Sequence, residues 1–263
     1  MWFSLSRLKL GIVQRTMYFE IRDYRSRISG KRLVPFRVVF RESDLQILAE
    51  KELSREALEI LREERGPLEA YIKQHPQFLT SLKPLPFAPE APALVQKMLL
   101  AGKKARVGPM AAVAGALAEA VGRALLETGL TQEVVVENGG DIFLSLKREA
   151  VVAIWAGKSP LSGRLGLKIP SSLMPCGVCT SSGTVGHSLS LGCADALCVI
   201  SKDTALADAL ATSLGNLVRG PKDLKRLPKA AQRHPEILGL VCIVGEELLA
   251  FGPAVEFVPL ANH

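Results

Sequence analysis

The feature that most constrains the fold is a turn of one asparagine and two glycines, Asn138-Gly139-Gly140, between two strand-forming segments. Residues 133–137 before the turn carry three consecutive valines, and residues 141–146 after it carry isoleucine, phenylalanine and leucine. Asparagine followed by glycine is a strong hairpin signal, because both residues adopt the positive φ angles that tight β-turns need. The sequence therefore predicts an antiparallel pair of strands here.

The rest of the chain groups its strands between helices without a regular βαβ repeat, which favours an α+β fold over a doubly wound sheet. Hydrophobic patterning predicts further strands at 33–41, 45–48, 151–156, 165–169, 196–201, 237–244 and 248–251. It also predicts helices over 54–75 with a kink or break at Gly66-Pro67, over 110–128 with many small residues, and over 203–218. Residues 176–194, rich in glycine, serine and threonine, are expected to form a loop.

Composition limits the class of protein. Apolar residues make up 48% of the 263 positions, yet no segment approaches the roughly 20 apolar residues of a membrane span. We expect a basic N-terminal arm over 1–32 and one domain over 33–258. Residues 1–41 hold ten Lys and Arg against two acidic residues, but the absence of a stacking or binding motif disfavours nucleic acid as a partner. Five cysteines without an export signal predict a reduced, cytoplasmic protein.

The segment from Cys176 to His187 has no charged side chain and is rich in glycines and hydroxyls. Such segments present backbone N–H groups to anions, although they also serve as ordinary polar connections. His187 is a candidate phosphate contact, acid or base, or else a structural histidine. Cys176 and Cys179 have the spacing of a thiol pair or of half a zinc site. We expect a reactive, persulfide-carrying Cys179 if loop amides lower its pKa, and an inert thiol otherwise.

Asp208 and Thr212 lie four residues apart in the predicted helix 203–218, so both side chains project from one face. A carboxylate and a hydroxyl on this mostly apolar face suit Mg²⁺, with water or phosphate completing its ligands. Alternatively, Asp208 pairs with an arginine or a loop amide, and Thr212 bonds back to a helix carbonyl. Asp195 is expected to bond loop amides at the start of a strand.

Four motifs occur in one order along the chain: VGPMAAVAG at 107–115, ENGGD at 137–141, CTSSG at 179–183, and LADALAT at 206–212. Together they closely resemble the ApbE superfamily, whose best-known members are FAD:protein FMN transferases, and in particular its branch of short cytoplasmic chains. The resemblance covers about residues 33–220. It implies an ApbE-like α+β fold, a duplicated T-fold-like arrangement of mixed or antiparallel sheets with flanking helices.

The resemblance also implies ligands and site residues. FAD or a related nucleotide would bind with Mg²⁺, the metal being held by Asp208 and Thr212. His187 and Cys179 are the candidate catalytic residues. The cofactor-binding residues would lie in the glycine turn and the later loop: Glu137, Asn138, Gly139, Gly140, Asp141, Thr180, Ser181, Ser182, Gly183 and Thr184.

Two departures from the transferase pattern fall at the reacting end. Transferases carry a lysine in the small-residue motif where this chain has Val113-Ala114-Gly115, and Asp-Pro after the histidine where it has Ser188-Leu189. FMN transfer requires metal to polarise the pyrophosphate of FAD and a threonine hydroxyl of an acceptor protein to attack it. Three hypotheses follow: flavin-nucleotide binding with Mg-dependent FMN transfer, persulfide carriage on Cys179 for sulfur assimilation, and ligand binding without turnover. A homodimer is compatible with the open sheet.

Overall fold

The computed structural model describes residues 33–184 and 191–260. The arm 1–32 and His187 lie outside these ranges, so what we expect of them stays a prediction. The division of the chain into this arm and one domain over 33–258 also stays a prediction.

Within the described ranges, eleven strands form two antiparallel sheets. The strands are β1 (Val34–Phe40), β2 (Ser43–Ala49), β3 (Val134–Asn138), β4 (Asp141–Ser145), β5 (Ala150–Ala153), β6 (Leu165–Ile169), β7 (Cys176–Ser181), β8 (Ala196–Ser201), β9 (Gly239–Val244), β10 (Glu247–Phe251) and β11 (Phe257–Pro259). The larger sheet has eight strands in the order β1-β2-β3-β4-β7-β8-β9-β10, and the smaller has three in the order β11-β6-β5. Neighbouring strands are antiparallel throughout both sheets.

Helices cover one face of the larger sheet, and the three-stranded sheet covers the other, which gives two hydrophobic cores. The helices are α1 (Ser54–Gln74), α2 (Gln77–Thr80), α3 (Ala93–Ala105), α4 (Val113–Glu127), α5 (Thr204–Gly215) and α6 (Leu227–Ala231). Short 3₁₀ turns are Pro109–Ala112, Ser171–Leu173 and Pro221–Arg226. The predicted α+β class is confirmed.

The hairpin predicted from the glycine turn joins β3 to β4. Asn138 pairs with Asp141, and Gly139 and Gly140 have φ angles of 68° and 100°. The Gly140 N–H donates a hydrogen bond of 2.8 Å to the Glu137 carboxylate. The turn therefore fixes the end of β3 and the start of β4, where the candidate site lies.

The small residues of α4 serve close packing. A Cβ at Gly122 would lie 2.3 Å from the Phe143 ring, and one at Gly115 would lie 2.5 Å from the Thr204 carbonyl oxygen. The helix therefore packs closely on β4 through one glycine and on α5 through the other. By length and composition Pro109–Glu127 passes as a membrane-crossing segment, but 56% of its 18-residue apolar window is buried inside the protein, as in a core helix.

Two expectations about local structure are wrong. The predicted break into two shorter helices is wrong, because helix α1 continues through Gly66 and Pro67. Leu61 and Leu68, both buried, hold its two halves on the same core while the proline faces solvent, and a kink at this point stays a prediction. Residues 176–181 form the buried strand β7 instead of the start of a loop. β7 pairs with β4 on one side and β8 on the other, so its polar residues lie inside the sheet.

Candidate functional site

The fold brings the glycine turn, the start of the predicted loop and Asp208 to one region. Asp141 at the start of β4 is paired in register with Cys179 on β7, so the turn and Thr180–Thr184 lie at the same end of the sheet. Helix α5 packs against β7 and carries Asp208. Sequence reasoning therefore placed together residues that do lie together, apart from His187, which lies outside the described residues.

Asp208 projects from α5 onto the start of α4. Its carboxylate accepts a hydrogen bond of 2.9 Å from the Gly115 N–H and another from the Ala114 N–H. Helix α4 lacks a side-chain cap of its own, because Ala112 stands at its N-cap position, so Asp208 takes over this role from a neighbouring helix. Burial raises the pKa of Asp208 from an ordinary 3.8 to about 7, although the two amides favour the charged form.

Asp141 is buried beside Asp208, with only 7% of its surface exposed. Burial raises the pKa of Asp141 well above its usual range, and the nearby charges of Asp208 and Glu137 raise it further. The Thr180 N–H and the Cys179 thiol contact this carboxyl and partly oppose the shift. One oxygen, Oδ1, is buried without a hydrogen-bond partner among the described residues. We call Asp141 and Asp208 the carboxyl pair.

Thr212 lies one turn after Asp208 on α5 and is half-buried, at the border between the core and solvent. Within the described part of the chain its hydroxyl makes no hydrogen bond, so the alternative in which it bonds back to a helix carbonyl is not observed. The alternative for Asp208, a bond to backbone amides, is observed. Over the same residues no group of three or more His, Cys, Asp or Glu side chains is arranged to hold a metal.

The amides of the turn and loop are largely engaged within the protein. The Gly183 N–H donates to the Ala194 carbonyl at 2.8 Å, and the Thr184 N–H donates to the Ser182 hydroxyl at 3.1 Å. The expectation that this stretch presents a series of free amides to an anion is therefore wrong for these two residues. The predicted anchoring role of Asp195 is confirmed, because its carboxylate accepts from the Gly245 N–H at 2.7 Å and from the Thr184 hydroxyl at 2.9 Å.

Cys179 is fully buried in β7, and its thiol donates to the Thr204 carbonyl at 3.4 Å. Burial raises the pKa of this thiol well above its usual range, and the charges of the carboxyl pair add to the effect. The expectation that loop amides lower this pKa is wrong, because the residue lies in a strand between two others. The structure thus lends no support to a reactive thiolate or to persulfide carriage at this position.

Cys176 and Cys179 do not form a thiol pair or half of a metal site. They are three residues apart on one strand, so their side chains point to opposite faces of the sheet. Cys179 belongs to the core under the helices and Cys176 to the core under the small sheet. Burial raises the pKa of Cys176 to about 11.

Sequence reasoning missed a buried ion cluster at the N-terminus of α5. Glu119 on α4 is 2% exposed and contacts Lys97 at 2.7 Å, Arg123 at 2.7 Å and the Thr204 N–H at 2.9 Å. Burial opposes its charge, but these partners together lower the pKa of Glu119 below its ordinary value. The available signal was a glutamate within an alanine-rich helix followed four residues later by an arginine.

Known proteins match most of this chain. A sequence profile of the family described as AbpE bacteria matches residues 25–244. The UPF0280 proteins of Methanocella arvoryzae and Methanocaldococcus jannaschii are 41% and 37% identical to it over 212 and 228 residues. These alignments cover 81% and 84% of this chain, and 86% and 92% of the two relatives.

Solved structures share the fold at low identity. The flavin transferase ApbE from Vibrio cholerae superposes with a TM-score of 0.55 at 13% identity, covering 84% of this chain and 97% of that one. The flavinyl transferase ApbE from Pseudomonas stutzeri gives a TM-score of 0.50 at 14% identity, with 84% and 95% covered. The predicted ApbE-like fold and the resemblance on which it rests are confirmed.

Proposed function

Because this chain belongs to the AbpE bacteria family, we propose that it binds FAD or a related flavin nucleotide together with Mg²⁺ and transfers FMN to an acceptor protein. Two proteins that share its fold are a flavin transferase and a flavinyl transferase, which supports the choice of ligand and reaction class. The observation that carries the proposal is the carboxyl pair, which lies next to the glycine turn and one helical turn from a half-buried hydroxyl.

The residues present fit a hard divalent cation. Asp208 and Thr212 offer oxygen ligands on one face of α5, and Mg²⁺ commonly takes one or two carboxylates while water and substrate phosphates complete its shell. Two buried carboxyls, which meet no cationic side chain from the described part of the chain, also create a site that favours positive charge. Bound there, Mg²⁺ would offset the charge of a diphosphate and polarise it.

The chain's own residues would position the nucleotide and shield the reacting bond from water. Gly139 and Gly140 carry no side chains, so the β3–β4 turn leaves room for a flat or charged ligand near the backbone. Ser182 and Thr184 bring hydroxyls to the mouth of the same region, and Asp195 holds Thr184 in place. The Ala114 amide is committed to Asp208, and its carbonyl accepts from the Asn138 side chain at 3.1 Å.

The position where the transferases carry lysine is thus a packing position in this chain. Without that lysine, the charge of the diphosphate would have to be met by the bound cation and by backbone groups. We therefore expect the chain to bind the nucleotide tightly but to transfer FMN slowly.

The test is whether the full chain binds FAD. Isothermal calorimetry and thermal unfolding measure this binding with and without Mg²⁺. We expect FAD to stabilise the protein in the presence of Mg²⁺. Asp208→Asn should lower the affinity for FAD by about tenfold or more. Glu247→Gln is the matched control, because this exposed carboxylate lies on β10, four strand spacings or about 19 Å from β4. The absence of FAD binding with Mg²⁺ present would refute the proposal.

Transfer itself has a separate readout. When FMN passes from FAD to a hydroxyl, a new phosphate ester forms, the pyrophosphate bond breaks and AMP leaves. Chromatography should therefore detect AMP when the wild-type chain is incubated with FAD, Mg²⁺ and a threonine-containing acceptor protein, and much less AMP with Asp208→Asn. Tight binding of FAD without release of AMP would indicate a ligand-binding module instead of a transferase.

A further inference from the structure

One carboxyl oxygen of Asp141 is buried without a hydrogen-bond partner in the described ranges, which is unusual for a buried side chain. Its Oδ1 atom is one of two buried side-chain polar atoms without a hydrogen-bond partner in the described ranges, the other being the Thr204 hydroxyl. Buried polar groups in folded proteins are almost always paired, because leaving one unpaired forfeits its bonds to water. An orphaned carboxylate oxygen in a folded protein therefore calls for a ligand that the chain does not supply.

The orphaned oxygen lies next to the other buried carboxyl of the site. Asp141 on β4 is in register with Cys179 on β7, whose thiol contacts the carbonyl of Thr204, one turn before Asp208 on α5. The Asp208 carboxyl is also near enough to Asp141 for the two groups to interact electrostatically. Two carboxyls from a strand and a helix thus meet around one thiol.

Over residues 33–184 and 191–260, no cationic side chain pairs with either carboxyl of the site. Asp141 and Asp208 make no ion pair with the Lys and Arg residues in the described part of the chain. The other groups that face Asp141 are Glu137, which adds negative charge, and Cys179, whose thiol stays protonated. Buried carboxylates are ordinarily paired with a cation or bound to a metal.

We infer that Asp141 is a second carboxylate ligand of the divalent cation at Asp208, so that the protein binds this cation before any nucleotide arrives. This inference rests on the proposed function for the presence of a cation at Asp208, and it adds a ligand from β4. Oxygen donors from Asp141, Asp208 and Thr212 select a hard cation such as Mg²⁺ or Mn²⁺.

The experiment uses Mn²⁺ as the probe and the full chain without nucleotide. Electron paramagnetic resonance of free Mn²⁺ gives the affinity, and added Mg²⁺ should displace the bound ion. We expect wild-type protein to bind Mn²⁺, and Asp141→Asn and Asp208→Asn each to weaken binding by about tenfold or more. Glu247→Gln should bind as the wild type does.

Thermal unfolding separates loss of the ligand from loss of the fold. Asparagine matches aspartate in size and removes an unpaired buried charge, so ligand-free Asp141→Asn should unfold at or above the wild-type temperature. Added Mn²⁺ should stabilise the wild type and leave Asp141→Asn unchanged. Asp141→Ser, which keeps an oxygen in a smaller side chain, provides a second variant for the same two measurements.

Two outcomes overturn the inference: a wild-type chain that binds no Mn²⁺ without nucleotide, and a folded Asp141→Asn whose Mn²⁺ affinity equals that of the wild type. Failure of the proposed function looks different. In that case Mn²⁺ binds and depends on both aspartates, but neither FAD binding nor AMP release is detected.

Discussion

Buried carboxyls lie in two regions along helix α5, and the two regions differ in whether cations neutralise the negative charge. At the N-terminus of the helix, Glu119 is matched by Lys97, Arg123 and the Thr204 N–H, and the pKa of its carboxyl is lowered. One turn further on, the carboxyl pair has no cation among the described residues, and the pKa of each member is raised.

The difference shows which region has its charge neutralised by the protein itself and which region needs a ligand to neutralise it. Glu119 joins α3, α4 and the start of α5 through contacts that the chain supplies itself, so it acts in stability. Asp141 and Asp208 are held in the charged form only at a cost, because burial opposes their ionisation. Proteins keep such a cost where function requires it. The Glu119 cluster and the carboxyl pair should therefore respond in opposite directions to mutation and pH.

The largest effect should come from Glu119→Ala. This substitution leaves Lys97 and Arg123 without their partner and the buried Thr204 N–H without an acceptor. Breaking a buried ion pair costs about 3 to 5 kcal/mol, and both cations are partly exposed, so we expect about 3 kcal/mol of lost stability. Urea unfolding measures it, with Glu119→Gln as the control that keeps an oxygen for Thr204 and should lose less. A loss near zero would remove the contrast between the two regions.

The next effect is a pH dependence that the carboxyl pair should impose. Because the folded state raises the pKa of Asp208 from 3.8 to about 7, the folded chain binds more protons than the unfolded chain between these values. Stability should therefore fall as pH rises from about 5 to about 7, on the order of 2 kcal/mol. Asp141, Cys179 and the α4 amides face this carboxyl, and Glu137 faces Asp141, so the titration belongs to the group.

Urea unfolding of the ligand-free chain at about pH 5 and about pH 8, with a chelator present, should show this fall. Asp208→Asn should reduce it, and Mg²⁺ should restore stability at the higher pH. Glu119 contributes with the opposite sign, since its lowered pKa gives stability that is lost as pH falls. Equal slopes in wild type and Asp208→Asn would contradict the assignment.

Local patterns predicted the parts of the fold that local physics determines. The turn Asn138-Gly139-Gly140 required positive φ angles, which are observed at both glycines, and Asp208 and Thr212 share a face because helix geometry fixes the spacing. The strands flanking the turn followed from their valines and aromatic residues.

Long-range pairing decided what the sequence could not reveal. The segment Cys176–Ser181 has the glycines and hydroxyls of a loop, yet it lies between β4 and β8, where both neighbours satisfy its backbone. Pairing with strands distant in sequence also explains why the thiol of Cys179 is buried and its pKa is raised. Packing of α3, α4 and α5 against one another determines the unpartnered oxygen of Asp141 and the cation partners of Glu119. This packing joins segments distant in sequence, so no single segment predicts it.

A smaller effect should come from Gly115→Ala, which tests the junction between the two regions. The added Cβ would lie 2.5 Å from the Thr204 carbonyl oxygen and 2.9 Å from Asp208 Cβ, so α4 and α5 must move apart. Overpacking of this kind costs about 1 to 3 kcal/mol, and we expect about 1.5. Mn²⁺ affinity should fall as well, because Asp208 moves with its helix. Gly66→Ala, in open space on α1, is the control: it should leave Mn²⁺ affinity unchanged and should raise stability by about 0.5 to 1 kcal/mol, because alanine is the better helix former.

The smallest effect should come from Asp203→Ala, at the helix end that Glu119 serves. Asp203 caps α5 by accepting from the Leu206 N–H at 3.0 Å, and losing such a cap costs about 1 kcal/mol. Asp203→Asn keeps the cap and should lose only a few tenths of a kcal/mol, about as much as other good caps differ. Asp208 lies more than one turn beyond this end, and its bonds to α4 hold it independently. Mn²⁺ affinity should therefore stay at the wild-type value while urea unfolding shifts. If Asp203→Ala weakened Mn²⁺ binding as much as Asp141→Asn does, the two regions of α5 would be coupled. The Glu119 cluster could then no longer be assigned to stability alone, nor the carboxyl pair to ligand binding alone.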